Sequence, residues 1–300
     1  MDIRFLDSLI IVIEKGSIAE AARMQSITPA AVSQRIQALE REFNCQLLSR
    51  LGHKAKPTEA CLNIISRAKK LIDDSKALMS GIDTSGLSGT FRIGAISTAL
   101  TTIIPKALIK LGELAPKTKL NIKPGTSASL FEAMLNEQLD AAIIVKPNNV
   151  IPKYFTCQTI RVEPLGLLSK NKINGSMKNA IENNPYIRYD PFSWGGQLAE
   201  KYIRDQQIIK NSMCDLDALE TITILVSEGL GVSLVPYWND EFLIEPKTES
   251  PRRTKLYFRS IEEPKYHREL VLITSRHTHR PQLIKMFSEL VIKSKNLYLK

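Results

Sequence analysis

The apolar residues of this chain change their spacing near residue 90, and that change limits what the chain can fold into. Ahead of it, Phe5, Leu9, Val12 and Ile13, and then Val32, Ile36, Leu39 and Phe43, each fall on one face of a helix. From Phe91 onward, short runs at Phe91 to Ile96, Asp140 to Val145, Pro164 to Leu168 and Gly231 to Val235 alternate with helical patterns. That alternation predicts an α/β architecture with mostly parallel strands. The small polar stretch Gly81 to Gly89 suits a hinge between the two textures. At 300 residues the chain has the length of two or three folded units.

With 43% hydrophobic and 24% charged residues there is enough apolar material for a sizeable core, which excludes a disordered chain. No apolar run approaches the roughly 18 residues of a membrane-spanning helix. The stretch after Asp2, Arg4 and Asp7 is too short and mixed for a secretory signal. Cys45, Cys61, Cys157 and Cys214 are scattered without a CxxC pair, so free thiols in a reducing cytoplasm are expected. His267, His277 and His279 have no carboxylate or cysteine cluster in sequence, and neither a metal nor a cofactor is expected. The net charge is +10, but the first 90 residues hold 12 Lys/Arg against 10 Asp/Glu, while residues 251–300 hold 12 against 4. Bulk charge therefore favours polyanions in general and locates no nucleic-acid site.

Local pattern is more informative. A helix from Ile3 to about Lys15 ends at Gly16, and Ser17-Ile18-Ala19-Glu20 is a capping box that opens a second helix to about Met24. After a turn at Gln25 to Ile27, Thr28 is a suitable N-cap and Pro29 fits the first position of a third helix, running to about Phe43. Opposite its apolar stripe lie Ala30, Gln34, Gln37 and Arg41, flanked by Ser33 and Arg35. Two short helices joined by a turn form a helix-turn-helix, and such a face either reads base edges or is simply solvated. Gln46 to Pro57 carries Arg50, Lys54 and Lys56 and no acid, the make-up of a phosphate-gripping β-wing.

The strings Glu14-Lys15-Gly16-Ser17, Ala21-Ala22, Thr28-Pro29-Ala30-Ala31-Val32-Ser33-Gln34-Arg35-Ile36, Leu39-Glu40, Leu47-Leu48-Ser49-Arg50 and Pro57-Thr58-Glu59, with Phe5, resemble the N-terminal signature of LysR-type transcriptional regulators. The resemblance covers about the first 60 residues. It implies a winged helix-turn-helix whose third helix enters the major groove of double-stranded DNA, with Thr28, Pro29, Ala30, Ser33, Gln34 and Arg35 in the reading segment and Arg50 in the wing. Leu47-Leu48-Ser49 departs from the usual Leu-Phe before the wing arginine, and Cys61 stands where a glycine is common. The Leu-Leu and Pro-Thr-Glu combination resembles the branch that governs basic amino-acid export.

A long helix from Thr58 to about Ile82 carries Ile64, Leu71 and Leu78 at intervals of seven, and Ile65, Ile72 and Met79 beside them. These columns form either a helix–helix seam or a face packed on their own domain; the family resemblance implies a homo-oligomer, a dimer or a tetramer, paired through this helix. Farther on, strand–polar turn–helix units occur at Phe91 to Leu114, with Ser97-Thr98 in the turn, and at Lys119 to Gln138, with Thr126-Ser127. Free N–H groups there suit a carboxylate or other anion, or the hydroxyls only cap. A helix from about Asp215 to Glu228 leads into Gly229-Leu230-Gly231, which lacks the third glycine and the following helix of a dinucleotide site. The resemblance extends to a two-lobed, periplasmic-binding-protein-like effector domain, with Ser97, Thr98, Thr126, Ser127, Phe192 and Thr221 near a small-molecule effector and Lys146 as a possible partner for an acidic one. The expected boundaries are 1–62 for the DNA-binding domain, 63–90 for linker helix and hinge, and 91–300 for the effector domain, whose lobe I comprises 91–161 with 268–300 and lobe II 162–267. No Walker loop, G-x-S-x-G or H-E-x-x-H marks an enzyme. A solute-binding module would explain the second half of the chain but not the first 60 residues.

Overall fold

The computed structural model describes residues 1–49, 55–80, 86–239, 256–278 and 280–293. It divides into two compact units, Met1–Gly89 and Thr90–Lys300.

In the first unit each helix is set by a local cap. α1 (Ile3–Lys15) starts at Asp2, which accepts from the Arg4 N–H, and stops at Gly16, whose φ of 66° is left-handed. α2 (Ile18–Gln25) starts at Ser17, whose Oγ accepts from the Glu20 N–H at 3.4 Å. The Glu20 carboxylate pairs with Arg23 at 2.6 Å. α3 (Pro29–Phe43) starts at Thr28, which accepts from the Ala31 N–H, with Pro29 in its first turn. Each cap contributes about 0.5–2 kcal/mol. The α1 stripe is Leu6, Leu9, Ile10 and Val12, so Phe5 and Ile13 fall on its half-buried flanks. On α3, Val32, Ile36 and Leu39 are buried as the spacing predicts, while Phe43 in the last turn is exposed.

β1 (Leu48–Ser49) pairs antiparallel with β2 (Lys56–Pro57). Glu40 of α3 anchors this ribbon: its Oε1 accepts from the Leu47 and Leu48 N–H groups at 2.9 and 3.2 Å. α4 (Glu59–Ser80) then begins with Thr58 accepting from the Cys61 N–H. Cys61 is fully buried, so the thiol fills the core where a glycine would leave a gap.

The second unit has two lobes. In the first, five strands lie in the order β4-β3-β5-β12-β6: β3 (Gly89–Ala95), β4 (Thr118–Pro124), β5 (Ala141–Val145), β6 (Phe155–Glu163) and β12 (Arg268–Ser275). β3 and β5 are parallel, but β12 runs antiparallel to both its neighbours. The expectation of mostly parallel strands is thereby corrected. β12 is the returning strand after the second lobe, and it enters this sheet from the opposite end. Around the sheet lie α5 (Ser97–Thr102), α6 (Ile104–Leu114), α7 (Ser127–Leu135) and α11 (Pro281–Lys293), with Phe91 and Phe287 in edge contact at 5.3 Å.

The second lobe holds β7 (Leu165–Ser169) between β10 (Ser233–Pro236) and β11 (Tyr257–Ser260), all antiparallel. A parallel pair, β8 (Pro185–Tyr189) and β9 (Asn211–Leu216), lies beside α8 (Met177–Glu182), α9 (Gly196–Asp205) and α10 (Leu219–Ser227). The helix expected from Asp215 therefore begins only at Leu219, because the preceding residues form β9. Its pairing with β8, and the packing of Cys214 and Leu216 on the lobe core, override helical spacing. Gly229 to Gly231 joins α10 to β10, a helix-to-strand turn as the sequence predicts. Since β6 reaches Glu163, residues 162 and 163 belong to the first lobe's sheet.

The two lobes are joined by the chain segments at 163–165 and 260–268, and a buried ion pair lies at that junction. Glu163 and Arg268 are cross-strand partners at the ends of β6 and β12. Both side chains are buried, at 0% and 2% exposure, and Arg268 donates to Glu163 through Nε at 2.6 Å and Nη2 at 2.5 Å. Arg161 also pairs with Glu163 and reaches the Trp238 carbonyl at 2.9 Å. Removing one partner of such a pair strands a buried charge. Glu163→Ala is expected to lower stability by about 3–5 kcal/mol in urea unfolding; a loss below about 1 kcal/mol would show that the pair does not hold the junction.

Candidate functional sites

α3 presents a polar surface because its apolar stripe is taken up by the core. Thr28, Pro29, Ala30, Gln34 and Gln37 are exposed and Ser33 is half-buried. Thr28 Oγ1 is committed to the Ala31 N–H at 3.1 Å. Arg35 differs from the expectation. Its Nη1 donates to Ser8 Oγ at 3.1 Å and Gln25 Oε1 at 3.3 Å, and Gln25 Nε2 donates to Asp7 at 3.0 Å. This network ties α3 to α1 and α2, so Arg35 braces the helix-turn-helix. Lys56 is exposed on the ribbon, opposite Ser49. Arg50, Lys54 and the Met79 side chain lie outside the described residues, as do His53 and His279.

The two apolar columns of α4 have different fates. Ile72 is buried in the first unit's core, with Ile64 and Ile65 packed against it. Leu71 and Leu78 are 44% and 78% exposed. The seam expected from both columns reduces to the Leu71–Leu78 side.

In the second unit a cavity of about 560 Å³ lies between the lobes, lined by residues 96–98 and 124–128 from one and 189–190, 192–195 and 217–219 from the other, with Arg268 at the junction. Ser97 is exposed there, and Thr98 is buried, accepting from Arg268 Nη2 at 3.3 Å. Thr126 caps α7 through the Ser129 N–H at 3.2 Å, and the buried Ser127 Oγ accepts from the Val145 N–H at 3.1 Å. Phe192 lines the cavity and is 87% exposed. Two expectations are corrected. Thr221 is exposed on α10 and does not line the cavity, because that helix starts later than its spacing suggests. Lys146 is paired with Glu269 at 2.9 Å and is likewise outside the lining.

Sequence reasoning missed Arg268, Tyr189, Asp190, Trp194 and Asp217, all of which line the cavity. Local spacing gives no sign of Arg268, Asp190 or Asp217. The turn that carries Asp190 is tight: a Cβ on Gly196 would stand 1.9 Å from the Asp190 carbonyl oxygen. The Asp217 carboxyl has its pKa pushed up, first by loss of water around it and then by the nearby charge of Asp190. Among the described residues no group of His, Cys, Asp and Glu is arranged for a metal, and no helix is long and apolar enough to cross a membrane.

Comparison with known proteins identifies the family. The model of the lysR-family bacterial regulatory helix-turn-helix matches residues 3–62, and that of the LysR substrate binding domain matches residues 84–295. The chain belongs to the LysR family of transcriptional regulators, with a DNA-binding helix-turn-helix and an effector-binding domain. It is 25% identical over 228 residues to the HTH-type transcriptional regulator YofA of Bacillus velezensis, covering 75% of this chain and 77% of that one. It is also 25% identical over 241 residues to the nitrogen assimilation regulatory protein nac of Escherichia coli, covering 79% and 78%. Its fold is shared with full-length OxyR of Pseudomonas aeruginosa, at a TM-score of 0.70, 18% identity and 97% and 94% coverage. It is shared also with full-length CbnR in complex with its target DNA, at a TM-score of 0.70, 15% identity and 98% and 100% coverage.

The two arginine and glutamine neighbours on α3 separate in a stability assay. Arg35→Ala removes a charged donor from Gln25 and Ser8, which keep their own bond at 2.7 Å, and is expected to cost about 1–3 kcal/mol in unfolding. Gln34→Ala, on the exposed face, is expected to stay within about 0.5 kcal/mol of the wild type. Equal losses would contradict the inward assignment of Arg35.

Proposed function

We propose that α3 reads base edges through Gln34, Gln37 and Ser33, with residues 28–30 set against the backbone at its N-terminus and Lys56, Arg50 and Lys54 of the wing gripping phosphates. The observation that carries this reading is the division of α3: its apolar stripe and Arg35 turn into the domain, and the glutamines are left free. A glutamine amide pairs bidentately with adenine, and lysines supply affinity without sequence choice.

The chain acts, on this reading, as a cytoplasmic homo-oligomer without catalytic activity. Its reading domain is 1–62, its linker helix and hinge 63–90, and its effector domain 91–300. Two subunits pair along Leu71 and Leu78, which sets two reading helices about one DNA turn apart and favours pseudo-palindromic sites. A small-molecule effector occupies the interlobe cavity near Ser97, Thr98, Thr126 and Phe192. It favours one lobe arrangement over another, and so changes how the oligomer engages DNA, in proportion to its differential affinity for the two arrangements.

Selection of bound genomic fragments tests the whole reading: no preference over scrambled competitor would end it. On a selected site, Gln34→Ala is expected to lose about 1–3 kcal/mol of discrimination at one base position. Lys56→Ala should weaken all sequences alike and reduce the slope of log affinity against log salt by about 0.9. A sequence-selective loss at Lys56 would contradict its phosphate role. Leu71→Asp should yield monomers in sedimentation, and an intact dimer would remove α4 from the interface.

A further inference from the structure

We propose that the interlobe cavity selects a ligand bearing a positively charged organic nitrogen, held at Asp190 and Asp217 and flanked by Phe192 and Trp194, and that Arg268 is not an anion receptor. The proposal rests on the reading of this cavity as the effector site.

Arg268 is the lining residue that would first suggest a carboxylate ligand. Four of its five N–H donors are already engaged. Nε and Nη2 donate to Glu163, Nη2 also to Thr98 Oγ1, and Nη1 to Tyr189 Oη at 3.4 Å. An incoming carboxylate would find one Nη1 N–H, and a two-pronged grip would have to displace Tyr189, Thr98 or the fully buried Glu163. Glu163 offsets the charge of Arg268 from behind, and the pull of Arg268 on Asp217 is outweighed there by loss of water and by Asp190.

The uncancelled charge is negative. β8 and β9 run parallel with Tyr189 opposite Leu216, so the next residue of each strand, Asp190 and Asp217, leaves the carboxyl edge side by side. The Asp190 N–H donates to the Leu216 carbonyl at 2.9 Å, which fixes the two chains there. Asp190 Oδ1 accepts one neutral N–H, that of Phe192, at 3.0 Å. Among the described residues no salt bridge reaches either carboxylate. Parallel strand ends are where open α/β sheets place ligands, and here they present two like charges to a cavity with no free cation among its lining residues. Loss of water around Asp217, and then the charge of Asp190, raise its pKa against a hydrogen bond from Ser193 and the charge of Arg268, and a bound cation would favour the ionised carboxylate. The aromatic faces choose between a metal and an organic cation. Phe192 stands exposed at the rim, and Trp194 is held edge-on to Phe131 at 6.0 Å, so an alkylammonium or guanidinium can be met by a π-face as well as by carboxylates. A hydrated metal ion gains nothing from those rings.

The test uses the full-length chain and five probes in ligand-observed NMR titrations: agmatine and n-pentylamine as cations, n-pentanol as the neutral counterpart, pentanoate as the anion, and magnesium chloride. Both organic cations are expected to bind saturably and at least tenfold more tightly than pentanol or pentanoate. Asp217→Asn and Asp190→Asn should each reduce their affinity tenfold or more. The wild-type comparison among five-carbon probes needs no variant to fold, and Asp190→Asn retains an acceptor for the Phe192 N–H. Pentanoate binding as tightly as pentylamine would overturn the proposal while leaving the cavity an effector site. Cation binding indifferent to both substitutions, or magnesium competing at equal affinity, would overturn it as well. Failure of all five probes to bind would sink the proposal and count against the cavity as an effector site, without touching DNA reading by α3.

Discussion

The second unit depends on one buried interaction, the pairing of Glu163 with Arg268. The two residues lie 105 positions apart and meet because β6 leaves the first lobe where β12 returns to it. Two charges taken out of water are tolerable only when paired and bonded throughout, and Arg161, Thr98 and Tyr189 complete that requirement. The consequence is functional. Thr98 belongs to the first lobe and Tyr189 to the second, so one guanidinium bonds to both sides of the cavity. Any ligand that changes the distance between the lobes acts on these two bonds, which at 3.3 and 3.4 Å are the longest the guanidinium makes, while the Glu163 pair stays as the pivot.

The first unit solves a different problem with the same economy. A reading helix must be held firmly and still keep a polar face free. Local caps at Asp2, Ser17 and Thr28 set where α1, α2 and α3 begin, and Glu40 binds the ribbon to α3. Arg35 adds a charged brace at the junction with α1 and α2, joined to the Ser8–Gln25 pair. What remains outward is Gln34, Gln37 and the first turn.

The difference between what sequence revealed and what it hid follows the range of the interaction. Helix starts at Thr28-Pro29 and Ser17, the stop at Gly16, and the strand–turn–helix units around Ser97 and Thr126 are set by neighbours a few residues away, and periodicity exposes them. Direction within a sheet is not local. β12 is antiparallel because of a crossing made by a whole lobe, and β9 is a strand because β8 lies beside it. The site residues divide likewise. Ser97, Thr98, Thr126 and Ser127 were legible as turn hydroxyls. Arg268, Asp190 and Asp217 are brought together by pairings that no window of sequence contains. The helical wheel sets Arg35 on a flank of α3, but does not give the reach of its long side chain back to Ser8.

α4 belongs to the core of the first unit as well as to the proposed seam. Its Ile72 column is consumed by the core of the reading domain, so that helix is part of the domain and not a free rod beside it. On the proposed pairing through Leu71 and Leu78, each reading helix is then fixed to the seam by packed apolar side chains. An effector cannot reset the head by bending α4 without opening that core, at about 0.8 kcal/mol for each methylene returned to water. The lower-cost response is to move whole heads relative to one another and keep each intact. On the proposed function, regulation is thus a choice among arrangements of rigid parts, and its size is bounded by the differential affinity of the cavity's ligand, with about 1.4 kcal/mol needed for each tenfold change in DNA binding.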